Sequence, residues 1–357
     1  MNTVTGKQFA ILVFIMTLTF KIGRLPSLMA DKCGNSALAA VIIYLAVELV
    51  IFAVVYRCVK NRAFETIDKH LPVFASKALY LAAAAYFIMK LTLMLLGTTL
   101  FVNVNLSDSM PEWEAAILLL VPVTYMAVKG IKAIGRTSEI LFWPIAAFVL
   151  FSLVFMKTDI DINRNLPILN TDIKSFLGQI NNFYFWFGDY IPLMLLSVSD
   201  AGKKYVTASL AAGVAVVLTV YVLLNAVYGE LMSYISEPLV KFAAFNQFGK
   251  MLGRLDWTGI IAWLAMAVIY SSLFMWAAVE CLGRIIGKRW PAVAFTAGTV
   301  LVLSLVIPNL ERLSEYAMSG IKYFAAFYNY VLPFAILAAA AAASKARAKK
   351  ESANESV

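Results

Sequence analysis

Histidine is all but missing from this chain: His70 is the single one among 357 residues, and it lies in a basic stretch. That excludes an imidazole-based metal cluster and a nucleophile, histidine and acid arrangement. Cysteine is scarce as well. Cys33, Cys58 and Cys281 stand far apart, with no C-x-x-C pair and no histidine beside them, so the sequence offers neither a disulfide framework nor a thiolate zinc site. Charge is thin, at 14% of residues. None of the short patterns that mark a serine hydrolase, a zinc protease or a phosphate-binding loop occurs. No cofactor, metal or catalytic residue is expected, and an enzyme is not the reading this composition supports.

What fills the chain instead is apolar. Hydrophobic residues make up 62% of it and the mean hydropathy is +0.80. They come in repeated runs of about 20 residues, the length that crosses a bilayer. The expected fold is an all-α polytopic membrane protein with ten transmembrane helices, at roughly 8–30, 36–59, 77–101, 113–128, 140–156, 173–199, 205–230, 256–282, 290–309 and 323–343. The net charge of +9 does not point to nucleic acid, because the basic residues stand singly or in short groups between the spans. There they report topology. Lys and Arg favour by two to one the side that holds both chain ends and the loops around 57–77, 129–136, 203–204 and 284–289, which puts both termini in the cytoplasm. Residues 1–30 share features of a signal peptide, but Lys21 and Arg24 follow the apolar run Phe9 to Phe20 at once, and removal would leave an odd number of spans; the stretch is kept as the first helix.

Two of the ten spans are interrupted. Phe20 to Pro26 reads F-K-I-G-R-L-P in the middle of the first, and Gly188, Asp189 and Pro192 break the sixth within N-N-F-Y-F-W-F-G-D-Y-I-P-L-M-L-L, Asn181 to Leu196. Lipid holds no water to satisfy freed backbone groups, so such breaks are tolerated where they line a protein cavity. An even division gives five spans per half, 1–156 and 173–343, and the interrupted helix comes first in each. That is the layout of a 5+5 inverted repeat with a binding site where the repeats meet. An outer loop, 157–172, joins the halves. The second half includes an amphipathic outer segment, 231–255, and the chain closes with a basic cytoplasmic tail, 344–357.

Lys21, Glu48, Lys90 and Asp189 fall near the middle of their spans, where an unpaired charge is costly. Glu48 and Lys90 sit in smooth apolar helices and are expected to pair as a structural bridge. Lys21 and Asp189 sit at the breaks, where freed N–H and C=O groups suit the carboxylate and amine of a small zwitterion, with Asp189 as counter-ion to Lys21. The competing reading sends Lys21 and Arg24 to an interface by snorkelling. Aromatic walls are available, and helical spacing favours Phe185, Trp186 and Tyr190, with Tyr270 approaching from the eighth span. The candidate ligand set is therefore Lys21, Gly23, Phe185, Trp186, Gly188, Asp189, Tyr190 and Tyr270.

Several stretches then carry a family likeness. Lys129 to Pro144, K-G-I-K-A-I-G-R-T-S-E-I-L-F-W-P, resembles the junction between the fourth and fifth helices of the B subunits of spore germinant receptors. Asn165 to Leu169, N-L-P-I-L, resembles the Leu-Pro element of the following loop, and Arg254 to Trp263, R-L-D-W-T-G-I-I-A-W, resembles the entry into the eighth helix. The resemblance implies the amino acid, polyamine and organocation transporter superfamily, of the amino acid permease type, with the first and sixth helices unwound at the substrate site. It implies a small germinant such as an amino acid as ligand. It also implies a spore inner membrane location beside an A-type membrane subunit and a C-type lipoprotein. One stretch departs from the family: where its members usually read Gly-Ile-Leu-x-Leu-Pro, this chain has K-I-G-R-L-P, Lys21 to Pro26.

Overall fold

A computed structural model describes residues 3–106, 110–154, 160–169, 172–198, 203–245, 256–307 and 321–355. The chain opens with a two-residue strand, β1 (Thr3–Val4), and helix α1 (Gly6–Leu18). Thr5 starts the helix with a capping box: its hydroxyl accepts from the Gln8 N–H, and the Gln8 side chain accepts from the Thr5 N–H. Helix α1 is apolar on every face and nearly all of it is buried, as a helix at the centre of a bundle should be. It ends at Leu18, and α2 (Leu25–Cys33) starts with Pro26 in its first turn, where a missing N–H costs nothing. The expected break of the first span is therefore present, over Thr19 to Arg24.

Helices α3 (Ala37–Lys60), α4 (Ala63–His70), α5 (Val73–Asn105), α6 (Glu112–Lys129) and α7 (Ile131–Val154) follow. Gly130, at φ +87°, is the only interruption between α6 and α7, so the loop expected before residue 140 is helical. A positive φ of this kind is cheap for glycine alone and ends a helix cleanly.

Next comes α8 (Ile173–Ile180), whose first turn is capped by the Asp172 carboxylate accepting from the Ser175 N–H. A hydrogen bond from the Ser175 side chain, helped by that backbone N–H, holds the Asp172 pKa below the usual carboxylate value. From Asn181 to Val198 there is no further α-helix, only short tight turns at Tyr184–Trp186 and Ile191–Leu195 and a second strand, β2 (Ser197–Val198). The sixth span, expected to be helical on both sides of one interruption, is unwound over most of its length. Strand β2 pairs in parallel with β1, Thr3 opposite Ser197 and Val4 opposite Val198. The N-terminus thus supplies hydrogen bonds that a helix would have made for itself.

Then follow α9 (Lys203–Tyr228), a tight turn at Gly229–Tyr234, α10 (Pro238–Phe245), α11 (Asp256–Ile286), α12 (Arg289–Val306) and α13 (Ile321–Glu355). Helix α13 runs on through most of the expected tail. Parts of the two polar segments, 157–159 and 170–171 of the loop and 246–255 of the amphipathic stretch, lie outside the described residues, as do Arg254 and Leu255 of the family-like R-L-D-W element.

Seven helical stretches among the described residues are long and apolar enough to cross a membrane, Leu25–Lys60 being one of them. Large apolar side chains such as Val50, Leu118, Ile140 and Trp143 point outward from these helices. A surface this apolar belongs in lipid, and the chain is an integral membrane protein. Helix α11 packs along α5 through the middle of the bundle and α1 packs along α9. The second contact is close because Gly213 has no side chain: a Cβ there would lie 2.9 Å from Thr17 Cβ. Both unwound segments are enclosed by these helices.

Candidate functional site

The two breaks meet. Lys21 Nζ, from the first, lies 2.6 Å from Asp189 Oδ2, from the second, and both side chains are fully buried. Lys21 Nζ is also 3.2 Å from Glu48 Oε2 on α3. Lys90 of α5 reaches Asp189 Oδ1 at 3.2 Å and donates to the Phe185 and Phe187 carbonyls, each at 2.6 Å. An ammonium group has three donors, and all those of Lys90 are taken. Asp189 accepts a further hydrogen bond from the Tyr270 hydroxyl of α11 at 2.7 Å. Two cations and two carboxylates therefore form one neutral chain, Glu48, Lys21, Asp189, Lys90.

Burying charges is expensive, and the cost is offset only when geometry is good and the remaining polar positions are filled. Here they are filled by the unwound backbone. The Gly188 N–H donates to Glu48 Oε1 at 3.0 Å, and Asn329 Nδ2 of α13 donates to the Phe187 and Tyr184 carbonyls at 2.9 and 2.5 Å. The Tyr86 hydroxyl donates to Asn329 Oδ1 at 2.5 Å with the Gly188 carbonyl 3.1 Å away, and the Tyr44 hydroxyl donates to the Ile180 carbonyl at 2.5 Å. Gly188 is required at this crossing. Its φ is +86°, and a Cβ there would sit 2.2 Å from Asn329 Oδ1.

Five of the eight expected ligand residues are in this network: Lys21, Gly188, Asp189, Tyr270 and, through its carbonyl, Phe185. Gly23 and Trp186 line a small neighbouring cavity. The Phe185 ring lies 5.6 Å from Lys90 Nζ, whereas Tyr190 faces elsewhere. The Phe185 side chain lines an apolar groove of about 450 Å³ with Leu81, Phe295 and Leu303, while the Tyr190 hydroxyl bonds Thr17 at 2.7 Å. Alternation of side-chain direction, expected from helical spacing, fails here because the backbone is not helical.

Two expectations need correcting. Glu48 pairs with Lys21, and Lys90 with Asp189, so the direct Glu48–Lys90 bridge is replaced by a chain that runs through both breaks. The reason is position: the unwound segment places Asp189 among α3, α5 and α11, so that both lysines reach it. Snorkelling of Lys21 is also set aside, since its side chain is 0% exposed. Several residues of the network were missed, among them Tyr44, Tyr86, Tyr184, Phe187 and Asn329. Tyr86 stands one helical turn from Lys90 and was legible by that spacing. Phe187 contributes its carbonyl and a ring 5.3 Å from Lys21 Nζ, and Asn329 is a single amide in the apolar, tyrosine-rich run Tyr323 to Leu332, which by itself announces nothing.

The family model described as spore germination protein matches residues 3–312 of the chain. Spore germination protein KB of Bacillus subtilis (strain 168) is 24% identical over 346 residues, covering 91% of this chain and 90% of that protein. Among solved structures, a Na+-coupled sialic acid symporter in a substrate-bound outward-open state matches with a TM-score of 0.59 at 12% identity, over 92% of this chain and 77% of the other. MhsT in complex with L-phenylalanine matches with a TM-score of 0.61 at 12% identity, over 96% of this chain and 99% of the other. At such identities the likeness is one of fold.

Proposed function

The chain belongs to the spore germination protein family, and from that premise we propose that it is the membrane subunit of a germinant receptor. It binds a small germinant, an amino acid, at the breaks of the first and sixth helical segments and signals to partner subunits to start germination. The observation that carries this reading is the 2.6 Å ion pair between the breaks. A ligand entering beside that pair alters the surroundings of both breaks at once. It then favours one arrangement of the surrounding helices over another, by no more than its differential affinity for the two.

The ligand residues on this reading are those at the breaks, with Lys21 as a fixed cation where a related transporter would hold a coupling ion. A built-in ammonium that is already neutralised supports binding without ion coupling. The partners are an A-type membrane subunit and a C-type lipoprotein in the spore inner membrane, and the ten spans form a 5+5 inverted repeat with both termini cytoplasmic. A second reading is an autonomous, proton-linked amino acid transporter, with Asp189 or Lys21 carrying the proton. The fold shared with solved transporters favours it.

Uptake of a mixture of radiolabelled amino acids by proteoliposomes holding this protein alone separates the two. Label that saturates near one per protein supports the receptor subunit. Label that rises many-fold above that level, and leaks out on permeabilisation, overturns it in favour of transport.

A further inference from the structure

Next to the ion network, and sharing Phe20 with it, is a second and unused group of polar side chains. The Phe20 ring lies 5.5 Å from Lys90 Nζ and packs edge-on against Tyr270 and Trp186. It also lines a cavity of about 20 Å³ whose other walls include Gly23, Arg24, Trp186, Glu237 and Trp263. In the network every lysine and aspartate is matched. Around the cavity Arg24 Nη1, Trp186 Nε1, Trp263 Nε1 and Glu237 Oε2 are all shielded from solvent and have no hydrogen-bond partner among the described residues.

Buried polar atoms in folded proteins nearly always have partners, and exceptions call for an explanation. Four exceptions at one cavity are explained together by something that binds there. Glu237, Trp186 and Trp263 are 5%, 4% and 6% exposed, so bulk water does not serve them. The unmatched set is three N–H donors, one of them on a guanidinium, and one carboxylate oxygen. An anion alone would satisfy the donors but offer Glu237 Oε2 no donor, and a cation alone would face Arg24. A molecule bearing both signs satisfies all four.

We propose that this cavity is the ligand site of the reading above, on which the inference rests. It takes a zwitterion with little or no side chain, its carboxylate on Arg24 and the two indole N–H groups and its ammonium on Glu237. The size follows from Gly23, where a Cβ would lie 2.9 Å from Trp263 Nε1 and 3.3 Å from Glu237 Oε2. Both side chains press on the backbone of the first break, and the space left holds about one water. The structure is therefore the closed form, and entry requires Glu237 to withdraw. Glu237 sits between the Gly229–Tyr234 turn and α10, so its segment moves without unwinding a helix.

The test uses full-length protein in lipid nanodiscs with tritiated glycine, tritiated L-alanine and tritiated glucose as probes, and with unlabelled propionate and ethylamine as competitors. Saturable binding of glycine or alanine is expected, displaced far better by either amino acid than by propionate or ethylamine. Arg24→Gln and Glu237→Gln each weaken it tenfold or more. Trp263→Phe, which keeps one aromatic ring and loses the N–H with the rest of the indole, weakens it a few-fold, and its binding at matched melting temperature decides the matter if a charge variant fails to fold. Unchanged amino acid binding in all folded variants overturns this inference and leaves the receptor reading standing, as does saturable binding of glucose alone. Binding of none of the three probes to the wild type overturns both.

Discussion

Lys21 and Asp189, 168 residues apart in the chain, share the shortest ion pair in the buried centre, at 2.6 Å, and each brings a second partner of opposite charge. The pair ties together the two stretches where the backbone leaves the helical path. Balance within the four-charge group, more than any single contact, makes this burial tolerable.

Charge balance predicts an order of stabilities. Lys21→Met leaves two carboxylates facing Lys90 alone, and breaking a buried pair in this way costs about 3–5 kcal/mol. Lys21→Met with Glu48→Gln leaves the neutral Asp189–Lys90 pair. The double variant should melt above the single one in nanodiscs. A double variant that melts lower would show that packing, and not charge, holds the centre.

Gly188 and Gly178 make a matched comparison. Gly188→Ala forces a side chain into the left-handed region, at roughly 1–2 kcal/mol, and onto Asn329 and Tyr86. Loss of stability well above that figure is expected. Gly178 lies inside α8 with nothing within 4 Å of the added Cβ, so Gly178→Ala should raise stability by up to about 1 kcal/mol through helix propensity. Urea titration of both variants reads the contrast, and equal effects would deny the steric argument.

Glu237 gives the protein a pH dependence. Burial pushes its carboxyl up to about 8, against the opposing pull of Arg24 and Lys241. The folded, unliganded state then holds a proton on Glu237 that the unfolded chain releases near its ordinary value of 4.5, and the ammonium of the proposed zwitterion takes the place of that proton on binding. Stability from this group is complete below that value and falls by roughly 1.4 kcal/mol per pH unit until the folded group ionises near 8. Melting temperatures measured from pH 5 to pH 9 should decline more steeply for wild type than for Glu237→Gln. Parallel curves would place the titrating group elsewhere.

Much of the centre was legible before folding. Gly and Pro inside an apolar run of membrane length mark a break because no other partner for the backbone is available in lipid, and both breaks stand where F-K-I-G-R-L-P and F-G-D-Y-I-P put them. The four buried charges were legible for the same reason: each is conspicuous in an apolar run. Their pairing was not. Glu48 and Lys90 look alike from sequence, yet Lys21 takes Glu48 and Asp189 takes Lys90. Nor were Glu237 and Trp263, which meet the first break at Gly23 from segments far along the chain.

The sequence by itself determined the solvent of this protein, its helical character, the location of both breaks and the charges that cluster there, because hydropathy, helix-breaking residues and isolated charges act locally. Only the tertiary structure decided how far the sixth segment unwinds, what satisfies it and which charges meet. A backbone freed from a helix must find partners, and those partners are Lys90, Glu48, Asn329 and Tyr44 for the break itself and Thr3–Val4 for its far end. Each is brought in from a distant part of the chain, and a pairing between distant groups leaves no periodicity in the sequence.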